Sequence, residues 1–189
     1  NLPLKVFGRH NMQNIAAAAN VCLELGVPED VFYEAVRDFR GAARRLQVLA
    51  ETENYAVYYD FAHAPSKVVA TVKAVRELRP ERGLLVCLEL HTYSSLSASF
   101  LPQYRGSLDG ADEAAVFFDP AAAGLKKLEK LSPEEIIRGF NQHGLRVFNS
   151  SQSLKDWIES LVLDNCDLLF MSSGNFGGLD LPGLFSMDN

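Results

Sequence analysis

Three polar clusters in this sequence carry residue types that could do chemistry. Asp60 and His63 lie in Tyr58-Tyr59-Asp60-Phe61-Ala62-His63-Ala64-Pro65, where a strand-like run meets an acid, a histidine and then a helix-opening proline. A carboxylate accepts hydrogen bonds, and an imidazole can donate, accept or carry a proton near neutrality. An aspartate at a strand end is equally a common turn former. His91 follows the apolar run Gly83–Leu90, and Ser172-Ser173-Gly174-Asn175 follows the run Asp167–Met171. Polar side chains at three strand ends on one edge of a sheet are how open α/β folds build ligand sites. Further upstream, His10, Asn11 and Asn14 crowd the start of an alanine-rich run. Asn11 and Asn14 share one helix face at its first turn, where they suit a cap or a ligand contact. Arg44 and Arg45, on a glycine-containing loop, are either a solvated turn or a fork for phosphate.

Other chemistries are excluded by what the sequence lacks. No G-x-x-x-x-G-K-[ST] occurs, and the dipeptide Gly-Lys is absent, so this chain carries no P-loop. Gly174-Asn175-Phe176-Gly177-Gly178 follows the last strand rather than the first and lacks the dinucleotide spacing. There is no H-E-x-x-H and no Cys/His cluster to suggest a metal, and His143, before a glycine, reads as surface. The net charge of -6 argues against a nucleic-acid face. No apolar run reaches the length of a membrane span, and a signal peptide is not expected. Cys22, Cys87 and Cys166 are scattered through apolar runs, which reads as reduced thiols in a cytoplasmic protein.

The elements that must position these residues follow from periodicity. With 48% hydrophobic and 22% charged residues over 189 positions, the chain can bury one good-sized core. Ile15–Leu25 predicts a helix closed by Gly26, and Pro28-Glu29-Asp30 opens a second with Val31, Phe32, Ala35, Val36 and Phe39 at helical spacing. Leu46–Ala50 and Tyr55–Tyr59 predict a hairpin across Thr52-Glu53-Asn54. Strands and helices then alternate. The predicted helices are 66–78, 100–108, a capping-box helix from Ser132 to Phe140, and 153–163 around Trp157. The predicted strands are 83–90, 113–118, 145–148 and 167–171. This is a Rossmann-like, doubly wound, mostly parallel α/β sheet with an antiparallel edge hairpin, preceded by a short helical segment. Beginning at Asn1 and entering a motif almost at once, the sequence is expected to be a piece of something longer.

Gly8-x-His10-Asn11-x-x-Asn14-x-x-Ala17-Ala18, then Phe39-x-Gly41-x-x-Arg44-Arg45, then Asp60-Phe61-Ala62-His63-x-Pro65, in that order, resemble the Mur ligases. These are the ATP-dependent amide-forming enzymes of peptidoglycan synthesis. Asp60–His63, Ala111-Asp112-Glu113 and Met171–Gly178 look most like the murein peptide ligase branch, which joins UDP-N-acetylmuramate to a recycled murein tripeptide. The branch that adds L-alanine comes second. The resemblance implies that residues 1–45 are the tail of a central ATPase domain and residues 46–189 a C-terminal domain. It implies that Asn14 meets the adenine, with His10 and Asn11 shaping that helix start. Asp60 accepts from the ribose hydroxyls, Arg45 reaches the ATP phosphates and His63 lies beside the nucleotide, making Arg45 and His63 the catalytic candidates. His91 stands where relatives carry an arginine for the incoming carboxylate; a histidine is shorter and only partly charged at neutral pH. Ser172, Ser173 and Asn175 belong to a loop that helps bind the incoming amine substrate. ATP and Mg²⁺ are the implied cofactors, with the Mg²⁺ ligands and the phosphate-gripping loop expected outside this chain. The implied reaction is phosphorylation of the muramate carboxylate by ATP, then attack by the peptide amine. Alone, the chain is expected to fold without activity. A folylpolyglutamate-type relative and a non-catalytic α/β binding module are the other readings.

Overall fold

The computed structural model describes residues 4–6, 8–39, 44–126 and 131–186. Two helices lead the chain: α1 (Arg9–Glu24) and α2 (Glu29–Arg37). A sheet follows, whose strands alternate with helices: β1 (Gln47–Glu51), β2 (Ala56–Asp60), α3 (Pro65–Leu78), β3 (Gly83–Leu90) and β4 (Glu113–Phe118). The chain continues through α4 (Pro120–Leu125), α5 (Pro133–Phe140), β5 (Arg146–Phe148), α6 (Ser151–Glu159), β6 (Cys166–Met171) and α7 (Leu181–Leu184). The strand order is β1-β2-β6-β3-β4-β5, parallel throughout except for the antiparallel edge pair β1–β2. This is the predicted mostly parallel α/β sheet with its edge hairpin.

Strict alternation along the buried strands makes two cores. Tyr58, Val86, Leu88, Val116 and Leu169 face one side, under Val68, Val72 and Val75 of α3 and Ile136 and Phe140 of α5. Val57, Cys87, Phe117 and Phe170 face the other, under Leu154 and Ile158 of α6. Each such side chain contributes about 1.5–3 kcal/mol on burial, so both faces of β2, β3, β4 and β6 are clamped and their carboxyl ends are rigid platforms. The Ser132 capping box is present in full, its hydroxyl accepting from Glu135 N and the Glu135 carboxylate from Ser132 N.

Two expectations about local structure are corrected. The first helix begins at Arg9 rather than near Ile15, behind Gly8 at φ 86° with no side-chain cap, so Asn11 and Asn14 lie inside the helix and not at its cap position. Residues 100–108 do not form a helix. A 3-10 turn at Leu101–Tyr104 gives way to irregular turns, and Gly106 at φ +73° takes a backbone that cannot continue a right-handed helix. The helix-like spacing of Leu101, Tyr104 and Leu108 instead reflects three buried side chains of a turn-rich segment.

Candidate functional site

The strand order places β6 between β2 and β3, so the three polar strand ends singled out in the sequence are consecutive neighbours. Asp60 lies opposite Met171, and Met171 opposite Leu88, at the carboxyl edge.

Asp60 is 4% exposed, and its carboxylate is largely committed to the chain itself. It accepts from Ala62 N at 2.7 Å and Thr71 Oγ1 at 3.3 Å on one oxygen, and from Leu46 N at 2.7 Å on the other. A carboxylate offers about four acceptor positions, so one is left toward the neighbouring cavity. The Leu46 bond has a further effect. Arg44 and Leu46 both take positive φ, 56° and 50°, and Arg45 between them is displayed outward. That backbone is held by Phe61 N donating to Arg44 O at 2.7 Å and by Asp60 on Leu46 N. Asp60 is thereby the anchor of the segment that presents Arg45.

The two arginines diverge. The Arg45 guanidinium lies 5.2 Å from the Phe61 ring centroid, and Phe61 in turn meets the His63 ring edge-on. Arg44 points elsewhere, donating to Gly174 O at 3.0 Å and lying over the Tyr59 ring. His63 Nδ1 is 2.9 Å from Phe61 O. A carbonyl only accepts, so the proton sits on Nδ1 and the neutral ring keeps Nε2 as an acceptor.

These groups border a cavity of about 920 Å³ between α1, α2, the 44–46 segment and α3. That is near the upper end of the ~300–1,000 Å³ typical of ligand pockets. Asn11, Asn14, Arg45, Asp60 and His63 all line it, although residues 11 and 63 are far apart in sequence. Ile15, Phe32, Val36 and Phe39 supply an apolar wall. Lys67, in the first turn of α3 and outside the sequence motifs, adds a second cation. Its signal was available: a lysine near a helix N-terminus opposes the helix dipole. An apolar wall, amide side chains and two cations against one buried carboxylate form a donor set suited to a flat heterocycle bearing an anionic tail. Gly41 of the second motif and the side chain of His10 lie outside the described residues. Among the described residues no group of three or more His, Cys, Asp or Glu could hold a metal ion.

At the neighbouring strand end the organiser is Glu89, the one acid within the apolar run Gly83–Leu90. It is 2% exposed. Its Oε2 accepts from the Ser172 hydroxyl and from Phe176 N at 2.8 Å, and Oε1 faces His91 Nδ1 at 3.5 Å. Ser172 is fully buried and also accepts from Gly174 N at 2.6 Å, so its hydroxyl serves the loop. Asn175 caps the following 3-10 turn by accepting from Gly178 N at 3.2 Å, and Ser173 Oγ is buried without a hydrogen-bond partner among the described residues. Phe176, Gly177 and Gly178 all take positive φ. For a phenylalanine this is a strained conformation, held here by the Glu89 bond and by ring contacts with Tyr59, Phe117 and Phe170. An acid within an apolar run one residue before a strand end was the sign that could have exposed Glu89.

Residues 44–174 match the family described as Mur ligase, glutamate ligase domain. The chain is 32% identical over 147 residues to the UDP-N-acetylmuramate–L-alanine ligase of Acidithiobacillus ferrooxidans, covering 78% of this chain and 31% of that protein. It is 30% identical over 178 residues to the ligase of the same name from Paramagnetospirillum magneticum, covering 93% and 37%. Among solved structures, the UDP-N-acetylmuramate-alanine ligase of Thermotoga maritima superposes with a TM-score of 0.71 at 23% identity, covering 92% of this chain and 36% of that one. A murein peptide ligase from Psychrobacter arcticus gives 0.64 at 22%, covering 96% and 38%. At those identities the two structures speak for the fold alone. The chain spans about a third of the length of the curated relatives it matches.

Proposed function

The chain belongs to the Mur ligase family through its glutamate ligase domain, and from that premise we propose that it is the C-terminal part of an ATP-dependent ligase extending UDP-N-acetylmuramate with a murein tripeptide. The observation that carries the ligase reading is the single cavity bordered by Asn11, Asn14, Arg45, Asp60 and His63. In this reading residues 1–45 end the central domain and residues 46–189 form the C-terminal one. Asn14, with Asn11, receives the adenine against the apolar wall, the remaining acceptor position of Asp60 takes a ribose hydroxyl, and Arg45 meets the phosphates beside Lys67. ATP supplies the phosphoryl group that activates the muramate carboxylate, and Mg²⁺ is held by residues outside this chain. This chain's own work is to bind, orient and neutralise charge, which is where most of the rate in phosphoryl transfer originates. His63 stands beside the nucleotide with Nε2 as an acceptor. The loop Ser172–Asn175 and His91 face the incoming amine.

The tripeptide is favoured by the run Met171–Gly178 and by Asp60-Phe61-Ala62-His63, as read from the sequence. A second reading, L-alanine as the amine, is favoured by the relatives at 30–32% identity, which carry that name. A one-pot competition on the full-length enzyme with UDP-N-acetylmuramate, ATP, murein tripeptide and L-alanine separates them. The expected outcome is predominant tripeptide product. Preference for L-alanine by kcat/KM selects the second reading, and no ADP release with either amine overturns the ligase reading.

A further inference from the structure

We propose that Glu89 and His91 form the pair that receives the incoming amine, Glu89 by fixing the imidazole and His91 by accepting a hydrogen bond and then a proton through Nε2. The inference rests on the ligase reading above and gives His91 a role different from the carboxylate contact that an arginine would make there.

The geometry starts from Glu89. A carboxylate 2% exposed within a parallel sheet needs partners for both oxygens. Ser172 and Phe176 N satisfy Oε2, and Oε1 faces His91 Nδ1. Two lone pairs set against each other would repel, so Nδ1 carries the hydrogen and the neutral ring is bare at Nε2. At 3.5 Å the contact is long for a hydrogen bond. Such contacts tighten when the site is filled, and this one gains strength once the ring is charged. The ring is wedged in place, since a Cβ on Gly174 would stand 2.7 Å from its Cγ and Nδ1. Lys126 Nζ holds the His91 backbone carbonyl at 2.6 Å. The side chain is nevertheless 38% exposed, with Nε2 on the ring edge away from Glu89.

A bare Nε2 is an acceptor, so it selects an N–H donor and not a carboxylate. Glu89 of β3 faces the ring, and Lys126 after α4 binds the His91 backbone carbonyl. In the loop after β6, Arg44 and Tyr59 act on the Gly174 carbonyl rather than on the ring. In the transfer step the amine nitrogen bonds to the acyl carbon of the activated muramate. The bond from that carbon to the phosphate oxygen breaks, its electron pair leaving on inorganic phosphate. One N–H proton passes to Nε2, and the imidazolium beside Glu89 later gives it to water.

The test uses full-length enzyme and two variants, His91→Asn and Glu89→Gln. Carboxylate activation is read with hydroxylamine in place of the amine substrate, at a concentration that traps the acyl phosphate without help from the protein, as hydroxamate formed from UDP-N-acetylmuramate and ATP. Amine transfer is read as kcat/KM for the preferred amine across about pH 5.5 to 8.5, the span in which an imidazole titrates. In His91→Asn, hydroxamate is expected within about twofold of wild type while kcat/KM falls roughly 10²-fold and loses its rising limb. Glu89→Gln keeps an oxygen for Ser172 and Phe176 N but turns an NH₂ toward Nδ1, moving the ring proton to Nε2. A comparable loss is expected, with histidine ¹⁵N NMR showing Nδ1 protonated in wild type and bare in the variant. If Glu89→Gln fails to fold, the half-exposed His91→Asn decides alone. Normal hydroxamate with an unchanged pH limb in His91→Asn overturns the inference and leaves the ligase reading intact, as does a wild-type ring protonated on Nε2. No hydroxamate from wild type overturns both.

Discussion

The two ends of the sheet both bury carboxylates, yet they treat charge in opposite ways. At the amino end Asp167, 2% exposed, accepts from Ala56 N at 2.8 Å and Arg82 at 3.0 Å, with Arg79 at 3.7 Å. Arg79 also pairs with Glu51, and Arg76 with Asp112. Asp167, Glu51 and Asp112 there each meet a guanidinium. At the carboxyl end Asp60 and Glu89 are satisfied by backbone N–H groups, hydroxyls and an imidazole. Arg44 and Arg45 spend their charge on a carbonyl and on aromatic faces, and among the described residues neither makes an ion pair. Cations neutralised internally hold a fold together. Cations left over next to a cavity remain available to an anion.

The largest effect that could break this contrast belongs to Asp167→Ala. Removing one member of a buried ion pair strands the other, at a cost of about 3–5 kcal/mol. Urea unfolding of the chain should register that loss, while nucleotide affinity in the full-length enzyme stays at the wild-type value wherever the protein is folded. A rise in the KM for ATP would mean that the two ends are coupled after all.

A smaller effect is expected from Arg45→Ala in the full-length enzyme: kcat lower by roughly 10²-fold, the size of losing one donor to developing negative charge, with little change in the KM for ATP. Asp60→Ala should raise the KM for ATP and also lower kcat, because Leu46 N is released and Arg45 loses its fixed backbone. Steady-state kinetics of both variants sharpen the comparison. If Asp60→Ala altered stability alone, the carboxyl end would be as purely structural as the amino end.

The smallest effect concerns pH. The Arg76 guanidinium, helped by Leu84 N, holds the Asp112 carboxyl below the ordinary carboxylate range. A folded-state value below the unfolded one stabilises fully above about pH 4 and is lost as pH falls through the lowered value. The Asp112 side chain is 61% exposed, so solvent screening limits the contribution to about 0.2–1 kcal/mol. Unfolding free energies of wild type and Asp112→Asn from urea titrations should differ by that amount at pH 6 and converge near pH 2. A gap that persists at low pH would assign the effect to packing instead of charge.

Much of this was readable in the chain. The strands at 83–90 and 113–118, the capping box at Ser132 and the polar strand end at Asp60-x-x-His63 depend on apolar runs, capping and turn chemistry, which are properties of neighbours in sequence. The cluster Asn11, Asn14, Arg45, Asp60 and His63 was assembled from motif order, and all five line one cavity. Motif order singled out Arg45, but residue type and spacing carry no physical reason why it, and not the adjacent Arg44, faces that cavity. That depends on left-handed backbone at Arg44 and Leu46, a conformation neither side chain favours, imposed by Asp60 and Phe61 from the next strand end. Nor could the sequence say that Glu89 is the hidden centre of the neighbouring loop. The bonds that make it so join positions 83 and 87 residues apart, and Arg44 reaches Gly174 across 130. These contacts exist because β6, the last strand made, inserts between β2 and β3. Local propensity determined the elements, and only the order in which the strands paired decided which polar groups would meet.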